Sequence, residues 1–301
     1  MKLVTYLAEG SPRLGAVVGN EIVDLPRLAE AAGTSLPADM RRFIEESPAA
    51  LDRAKDLVAR ANGSWPAGVA RPLEGAKLLA PLANPPKGVI GVGLNYAEHV
   101  AESSRTMDTQ KELPSHPVIF IKATSSIIGP GDGIVHNPAQ TQQLDWEAEL
   151  GAVIGRRAKN VSKQDAMDYV FGYTCINDVS ARDLRHGGQW CFAKGQDTFC
   201  PMGPWIVTAD EIADPHNLDI SLKLNGEYKQ NSNTRHMIFK IPDLIAHLSS
   251  GITLEPGDVI ATGTPEGVGI SYNPPQFMKA GDKVEIEIEN VGKLVNVVVG
   301  A

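Results

Sequence analysis

The residues best able to do chemistry lie between Leu144 and Asp183. The stretch opens with Leu144-Asp145-Trp146-Glu147-Ala148-Glu149-Leu150, in which apolar and acidic residues alternate. That is the period of a half-buried strand, so Asp145, Glu147 and Glu149 face one side and Leu144, Trp146, Ala148 and Leu150 the other. Same-face neighbours on a strand sit about 7 Å apart. Carboxylates in such a row repel one another unless positive charge lies between them. The run continues as Gly151-Ala152-Val153-Ile154, which reads as interior, so the acidic face is more than a wet edge. A hard divalent cation with oxygen ligands would hold it. Asp178 follows the apolar run 170–177 and is the third ligand if its strand end reaches the same place. The competing explanation of a Glu-x-Glu alone is a solvated strand face.

Other groups stand apart in the chain. His99 and Glu102 are three residues apart, so on a helix they share a face. A carboxylate beside an imidazole orients it for acid/base work, although such a pair is also a common surface helix contact. Lys194 lies in an apolar stretch with Phe192 and Ala193, and buried lysines are rare without a partner. It would either snorkel or hold an anionic substrate or intermediate. Arg182 beside Asp183 reads as an ion pair. Gly263-Thr264-Pro265 is a turn that can also present backbone N–H groups and a hydroxyl to a carboxylate. Gly91-x-Gly93 lacks the third glycine of a dinucleotide loop and reads as close packing. Neither a Gly-x-Ser-x-Gly elbow nor a phosphate loop is present.

The elements that must position these groups are mostly strands. Two short strands, Leu3 to Leu7 and Ala16 to Val18, and a third at 22–25 form an N-terminal meander. Helices are expected at Pro26 to Ala32, Pro37 to Glu46 and Pro48 to Ala61. Residues 64–86, rich in Pro, Gly and Ala, mark a linker. The expected organisation is a small α+β domain over 1–80 and a larger domain over 81–301. In the larger part, strands are expected at 87–93, 116–122, 144–154, 170–177 and 258–262. Hairpins are expected around Asn225-Gly226 and at the C-terminus. A helix starts near Asn95, another spans 162–169 and a third 241–249, and residues 103–115 suit a mobile loop. Strands and helices do not alternate regularly, so a doubly wound sheet or a strand–helix barrel is excluded.

The 301 residues carry 43% apolar and 21% charged side chains and a formal net charge of −8. The composition is that of a globular protein, and the acidity argues against nucleic acid or an anionic membrane as partner. Three cysteines without metal-like spacing argue against a disulfide framework or zinc site. No run approaches the length of a membrane span. A reducing, cytoplasmic setting is the expectation.

The order of the groups is more informative than any one of them. Asn95-Tyr96-Ala97-Glu98-His99-x2-Glu102, then Phe120-Ile121-Lys122, Glu147-x-Glu149, Asn177-Asp178-x-Ser180-Ala181-Arg182-Asp183, Ala193-Lys194 and Gly263-Thr264-Pro265-x-Gly267-Val268-Gly269 resemble the fumarylacetoacetate hydrolase family. The resemblance covers about Pro86 to the C-terminus. It implies a mainly β, α+β fold: a mixed β-roll, or distorted β-sandwich, with peripheral helices. It places a metal, usually Mg²⁺ and sometimes Mn²⁺ or Ca²⁺, on Glu147, Glu149 and Asp178. Asp145 shares their face, but the family pattern does not require it. His99 and Glu102 match the water-activating pair of the family's lid, and Lys194 the lysine near the oxyanion. Lys122, Arg182, Gly263 and Thr264 match positions that bind substrate or support the site. Arg185 stands where some members carry Gln, and a further positive charge there favours a more acidic or more polar substrate. The Gly187-Gly188-Gln189-Trp190 stretch resembles a branch acting on ureidoglycolate or diketo-deoxy-sugar acids, with Gln189 as a substrate contact. A homodimer is the family's assembly.

The expected activity is metal-dependent hydrolysis of a C–C bond in a β-diketo acid, such as an acylpyruvate or diketo-deoxy-sugar acid, with release of pyruvate. Two alternatives use the same site: decarboxylation of oxaloacetate, and isomerisation or tautomerisation of a 2-hydroxy-dienoate. A non-catalytic, metal-stabilised carboxylate-binding protein is the alternative of another class.

Overall fold

The computed structural model describes residues 1–106 and 112–301, without the side chains of residues 105 and 106. A twelve-stranded mixed sheet forms the larger layer. Its main path runs Ala70–Pro72, Glu21–Asp24, Ser11–Val18, Lys2–Ala8, Cys200–Thr208, Val170–Asn177, Ala148–Ile154, Val259–Ala261, Val89–Gly93, Val118–Lys122. The N-terminal meander is continuous with this sheet, because Lys2 and Leu3 pair with Val207 and Ile206. A five-stranded sheet forms the second layer, in the order Glu227–Asn233, Asp219–Leu224, Lys283–Ile288, Gly292–Gly300, Gly133–His136. The architecture is the expected mixed β-roll with peripheral helices.

Strands of the smaller sheet alternate, as a sheet with one wet face must. In Asp219–Leu224 and Lys283–Ile288, Ile220, Leu222, Leu224, Val284, Ile286 and Ile288 are buried and their neighbours are not. Those inward residues meet Leu150, Tyr173 and Cys175 of the larger sheet in one core. On that sheet's other face, Val153, Phe171 and Ile176 pack with Phe43, Ile44 and Ala54 of the N-terminal helices. Covered on both faces, Ala148–Ile154 and Val170–Asn177 are buried at every position. Glu149 is therefore an interior side chain rather than one on a wetted face.

The structure corrects several sequence boundaries. The expected single strand through Asp145, Glu147 and Glu149 is two: Leu144–Asp145 pairs with Ser180–Ala181, and Ala148–Ile154 begins after a break at Trp146 and Glu147. The expected helix at 162–169 is a single 3-10 turn, Ala166–Tyr169. The helices of the N-terminal region run Leu25–Ala31, Met40–Glu45 and Ala49–Ala61. The helix carrying His99 spans Ala97–Thr106, so it takes in the first residues expected as loop; residues 107–111 of that loop lie outside the described residues. The Gly91 and Gly93 close packing is as expected. A Cβ on Gly91 would stand 2.2 Å from the Phe120 ring, and one on Gly93 2.4 Å from the Trp190 ring.

The N-terminal meander is tied together by Asp24. Its carboxylate caps the first helix through the Arg27 N–H (2.9 Å) and accepts from the Tyr6 hydroxyl (2.7 Å) and Arg13 Nε (2.5 Å). Burial pushes the Asp24 pKa up, but these donors outweigh it and hold the carboxyl below its ordinary range. Asp24→Asn keeps the cap and loses the charge on Arg13, so we expect it to cost about 1–3 kcal/mol at pH 7. A depressed folded-state pKa gives stability that is present above the unfolded value and lost as pH falls through the folded one. The wild type's advantage in urea denaturation is therefore expected to hold from neutral pH to about 5 and shrink below about 4.

Candidate metal and acid/base centre

The acidic cluster is built by the ends of two antiparallel strands. Ala148 pairs with Asn177, so Glu147, just before one strand, and Asp178, just after the other, meet at one rim. The contact is fixed by Asp178 N–H donating to the Glu147 carbonyl (2.9 Å) and Glu147 N–H donating to Asn177 Oδ1 (3.2 Å). Glu149 lies two residues along from Glu147. All three are buried, and one carboxylate oxygen from each lies within 4.8 Å of the others.

Asp145 is not part of this cluster. Its carboxylate accepts from the N–H groups of Trp146 (2.8 Å), Gly269 (2.6 Å) and Ile270 (3.1 Å) and from Arg182 Nε (2.8 Å). The strand break turns it toward the Gly269 loop, where it anchors Arg182. Arg182 also approaches Glu147 Oε1 to 2.7 Å through its terminal nitrogen, an ion pair without hydrogen-bond alignment.

Two buried lysines complete the charge pattern. Lys194 Nζ donates to Glu147 Oε2 (2.8 Å), Asp178 Oδ2 (2.6 Å) and Ser180 Oγ (2.7 Å). Lys122, fully buried, donates to Asp178 Oδ1 (2.5 Å), the Val179 carbonyl (3.2 Å) and the Lys194 carbonyl. Its three hydrogens are thus spent on protein acceptors behind the cluster. Of the two roles that the sequence left for Lys122, its position provides support rather than a wall of the pocket.

Among the described residues three cations (Lys122, Arg182, Lys194) pair with three carboxylates (Asp145, Glu147, Asp178), which leaves the negative charge of Glu149 without an ion pair. Among the described residues no cation bonds to Glu149, whose Oε2 accepts only the Gly263 N–H (2.9 Å). Burial, then Asp178 and Glu147, push the Glu149 carboxyl well above its ordinary range. Burial acts on Glu147 in the same direction, but Lys194 and Arg182 outweigh it and hold Glu147 below that range. A buried all-oxygen donor set with one charge uncompensated fits a hard divalent cation.

The second chemical group is a dyad. His99 Nδ1 lies 2.8 Å from Glu102 Oε1, and both side chains are buried. The carboxylate can only accept, so a hydrogen sits on Nδ1, and in the neutral ring Nε2 is then the acceptor. Gly267 N–H donates to Glu102 Oε2 (3.0 Å). Burial raises the Glu102 pKa, but His99 and Gly267 outweigh it and hold the carboxyl low. Asn95 fixes the start of this helix by donating to the carbonyls of Phe239 (3.0 Å) and Thr262 (2.7 Å).

One pocket gathers these groups. His99, Glu147, Glu149, Arg182, Arg185, Lys194 and Thr264 line it, with Val92, Gly93, Leu94 and Trp190. Arg185 stacks on the Trp190 ring at 4.8 Å, and Trp190 in turn leans on Phe120. Gln189 is exposed and is not among the lining residues. Gly263 offers its N–H to a carboxylate as the sequence suggested, but the carboxylate is Glu149. Its φ of +97° and a Cβ position 2.6 Å from Asn95 leave room for glycine only. Sequence reasoning quoted Asn177 and Ser180 in a motif without giving them a role, and it missed Gln230. The available signal for Gln230 was a polar residue at an inward position of a strand.

The chain belongs to the fumarylacetoacetate hydrolase family: the family's C-terminal domain model matches residues 88–299. It is 45% identical, over 99% of its length and 90% of the relative's, to the oxaloacetate tautomerase fahd2, mitochondrial, of Xenopus laevis. Among solved structures it resembles maleylpyruvate hydrolase from Sphingobium sp. SYK-6 in complex with manganese(II) and pyruvate, with TM-score 0.80, 34% identity and full coverage of both chains. It also resembles 2-hydroxyhepta-2,4-diene-1,7-dioate isomerase from Mycobacterium marinum, with TM-score 0.74, 33% identity and coverage of 100% and 98%.

The expectation of a cytoplasmic protein is corrected by these relatives, since the frog, rat and human proteins are named as mitochondrial. The cysteine argument does not separate the two compartments, because unpaired thiols suit any reducing one. Among the described residues no helix is long and apolar enough to cross a membrane, which does not bear on the compartment.

The unmatched charge generates a test. Mg²⁺ or Mn²⁺ at about 100 times its dissociation constant is expected to stabilise the protein by about 2.7 kcal/mol, read as a rise in Tm. Asp178→Asn and Glu149→Gln are expected to lose that rise. A full metal-dependent rise in both variants would place the metal elsewhere.

Proposed function

We propose that the protein is a divalent-metal-dependent tautomerase of oxaloacetate-type 2-oxo dicarboxylic acids. The observation that carries this is one pocket lined by Glu147 and Glu149 of the carboxylate triad and by a histidine oriented by Glu102, in a chain 45% identical almost throughout to a protein named oxaloacetate tautomerase. Keto–enol exchange removes a proton from C3 and adds one at the 2-oxygen, or the reverse. No carbon–carbon bond breaks and no water is consumed. The necessary parts are a base at C3 and stabilisation of negative charge at the 2-oxygen.

When bound by Glu147, Glu149 and Asp178, a divalent cation would polarise the 2-oxo group and make the C3 hydrogen more acidic. Toward the enol, His99 Nε2 takes the C3 proton and the imidazolium gives a proton up to the 2-oxygen; toward the ketone the transfers reverse, while Glu102 holds the Nδ1 hydrogen and steadies the imidazolium. Lys194 and Arg182 set positive charge beside the developing enolate oxygen. Arg185 adds charge for the second carboxylate.

This replaces C–C hydrolysis as the leading assignment. Hydrolysis is kept as a second reading because of the likeness to maleylpyruvate hydrolase and because the same dyad could deprotonate a water. The two separate on products. Enol-oxaloacetate absorbance decay, pyruvate release and CO₂ release would be followed with and without Mg²⁺, beside an acylpyruvate panel. Metal-dependent enol decay without pyruvate or CO₂ is the expected result. His99→Ala is expected to slow it about 10²–10⁴-fold. A wild-type rate in His99→Ala would remove the base from the scheme. Mg²⁺-dependent pyruvate and a matching carboxylic acid from an acylpyruvate would return the assignment to hydrolase.

A further inference from the structure

One buried polar side chain beside the pocket has no part in the chemistry so far. Gln230 is 1% exposed, on the strand Glu227–Asn233. Its Oε1 accepts from the Ala148 N–H (2.8 Å). Its Nε2 donates to the Pro265 carbonyl (2.9 Å) and to Thr264 Oγ1 (2.8 Å). A backbone N–H can only donate and a carbonyl can only accept, so the two backbone partners forbid a flipped amide.

The sense of the third bond follows. Gln230 gives a hydrogen to Thr264 Oγ1, so the hydroxyl's own hydrogen must point elsewhere. Among the described residues Thr264 donates it to no protein acceptor, and Thr264 lines the pocket. That hydrogen is therefore available to an acceptor in the pocket, and the carboxylate of a 2-oxo acid is one.

The same side chain sits between two parts of the site. Ala148, whose N–H it holds, separates Glu147 from Glu149. Thr264 and Pro265 belong to the loop whose Gly263 N–H holds Glu149 and whose Gly267 N–H holds Glu102. Gly267 lies so close to the Gln230 strand that a Cβ there would stand 2.1 Å from the Lys229 carbonyl.

We propose that Gln230 is a positioning residue that fixes Thr264 as a hydrogen-bond donor to the carboxylate of the bound 2-oxo acid and keeps that donor in register with the metal ligands. The substrate class rests on the tautomerase reading; the donor sense rests on Gln230's partners alone.

The test is a double-mutant cycle read by binding of oxalate, an unreactive mimic of a 2-oxo acid enolate, to the Mg²⁺-loaded protein by calorimetry. Gln230→Glu keeps the shape and the acceptor for Ala148 but takes away the amide hydrogens. We expect it to weaken oxalate about tenfold, the scale of one hydrogen bond to a charged group. Thr264→Val should weaken oxalate by a similar factor, and adding Gln230→Glu to it should change little. Thr264→Ser should bind as wild type. A full Gln230→Glu effect in the Thr264→Val background would overturn the proposal. So would unchanged oxalate binding in folded Gln230→Glu, where a merely structural amide lowers only the Tm. Should Gln230→Glu fail to fold, wild-type oxalate affinity in Thr264→Val overturns the proposal, and loss restored by Thr264→Ser supports it. Coupled oxalate binding without oxaloacetate turnover would sink the functional assignment and leave the positioning role standing.

Discussion

Everything at the centre of this protein answers to the burial of Glu147, Glu149 and Asp178 in one small volume, with Asp145 joined to them through Arg182. Carboxylates cannot be brought together away from water unless cations come with them, and removing one member of such a buried set typically costs about 3–5 kcal/mol. The fold meets that demand from three directions. Lys122 comes from the edge strand Val118–Lys122, Arg182 from a 3-10 turn, and Lys194 from the short helix Trp190–Lys194. Each cation has its place in the arrangement. Arg182 joins Asp145 to Glu147, Lys194 joins Glu147 to Asp178, and Lys122 ties Asp178 to the carbonyl at the end of the Lys194 helix. Among the described residues Glu149 is the member of the cluster without an ion pair, and that deficit is the clearest mark of a metal site.

The proton-transfer dyad is built on a different element from the metal ligands, and one short loop joins them. Gly263 gives its N–H to Glu149 and Gly267 gives its N–H to Glu102. The geometry of the loop thus sets the distance between the acidic cluster and the imidazole. Two glycines are needed there for steric reasons, Gly263 against Asn95 and Gly267 against Lys229.

Much of this was legible in the chain. Glu147 and Glu149 show themselves through the two-residue period, and Asp178 through its place after an apolar run. Lys194 is marked by its apolar neighbours, and His99 with Glu102 by helical spacing. Asp145 was not legible, because alternation does not reveal a strand break, and its partners Gly269 and Ile270 are remote in sequence. The full burial of Ala148–Ile154 was hidden for a related reason. Its second cover comes from helices near the N-terminus, which no local pattern connects to it. Ala166–Tyr169 shows the limit of helical propensity, since that stretch makes only one tight turn. Gln230 is a partner of distant backbone, and nothing in its own neighbourhood names that partner.

The pairing of Leu3 with Ile206 has a consequence for how the chain comes to be folded. During synthesis the first strand is among the earliest parts to emerge, yet the partner of Lys2 and Leu3 is made only when two-thirds of the chain exists. Until then the Lys2–Leu3 end of the hairpin Lys2–Ala8 with Ser11–Val18 carries an edge with unpaired N–H and C=O groups, since Leu78 and Leu79 pair only with Tyr6 and Thr5, and such an edge is the kind of surface that joins other chains. Pairing so distant in sequence also slows the final closure of the sheet. The molecule's exposure to aggregation is therefore concentrated in the interval between making Lys2–Ala8 and making Cys200–Thr208.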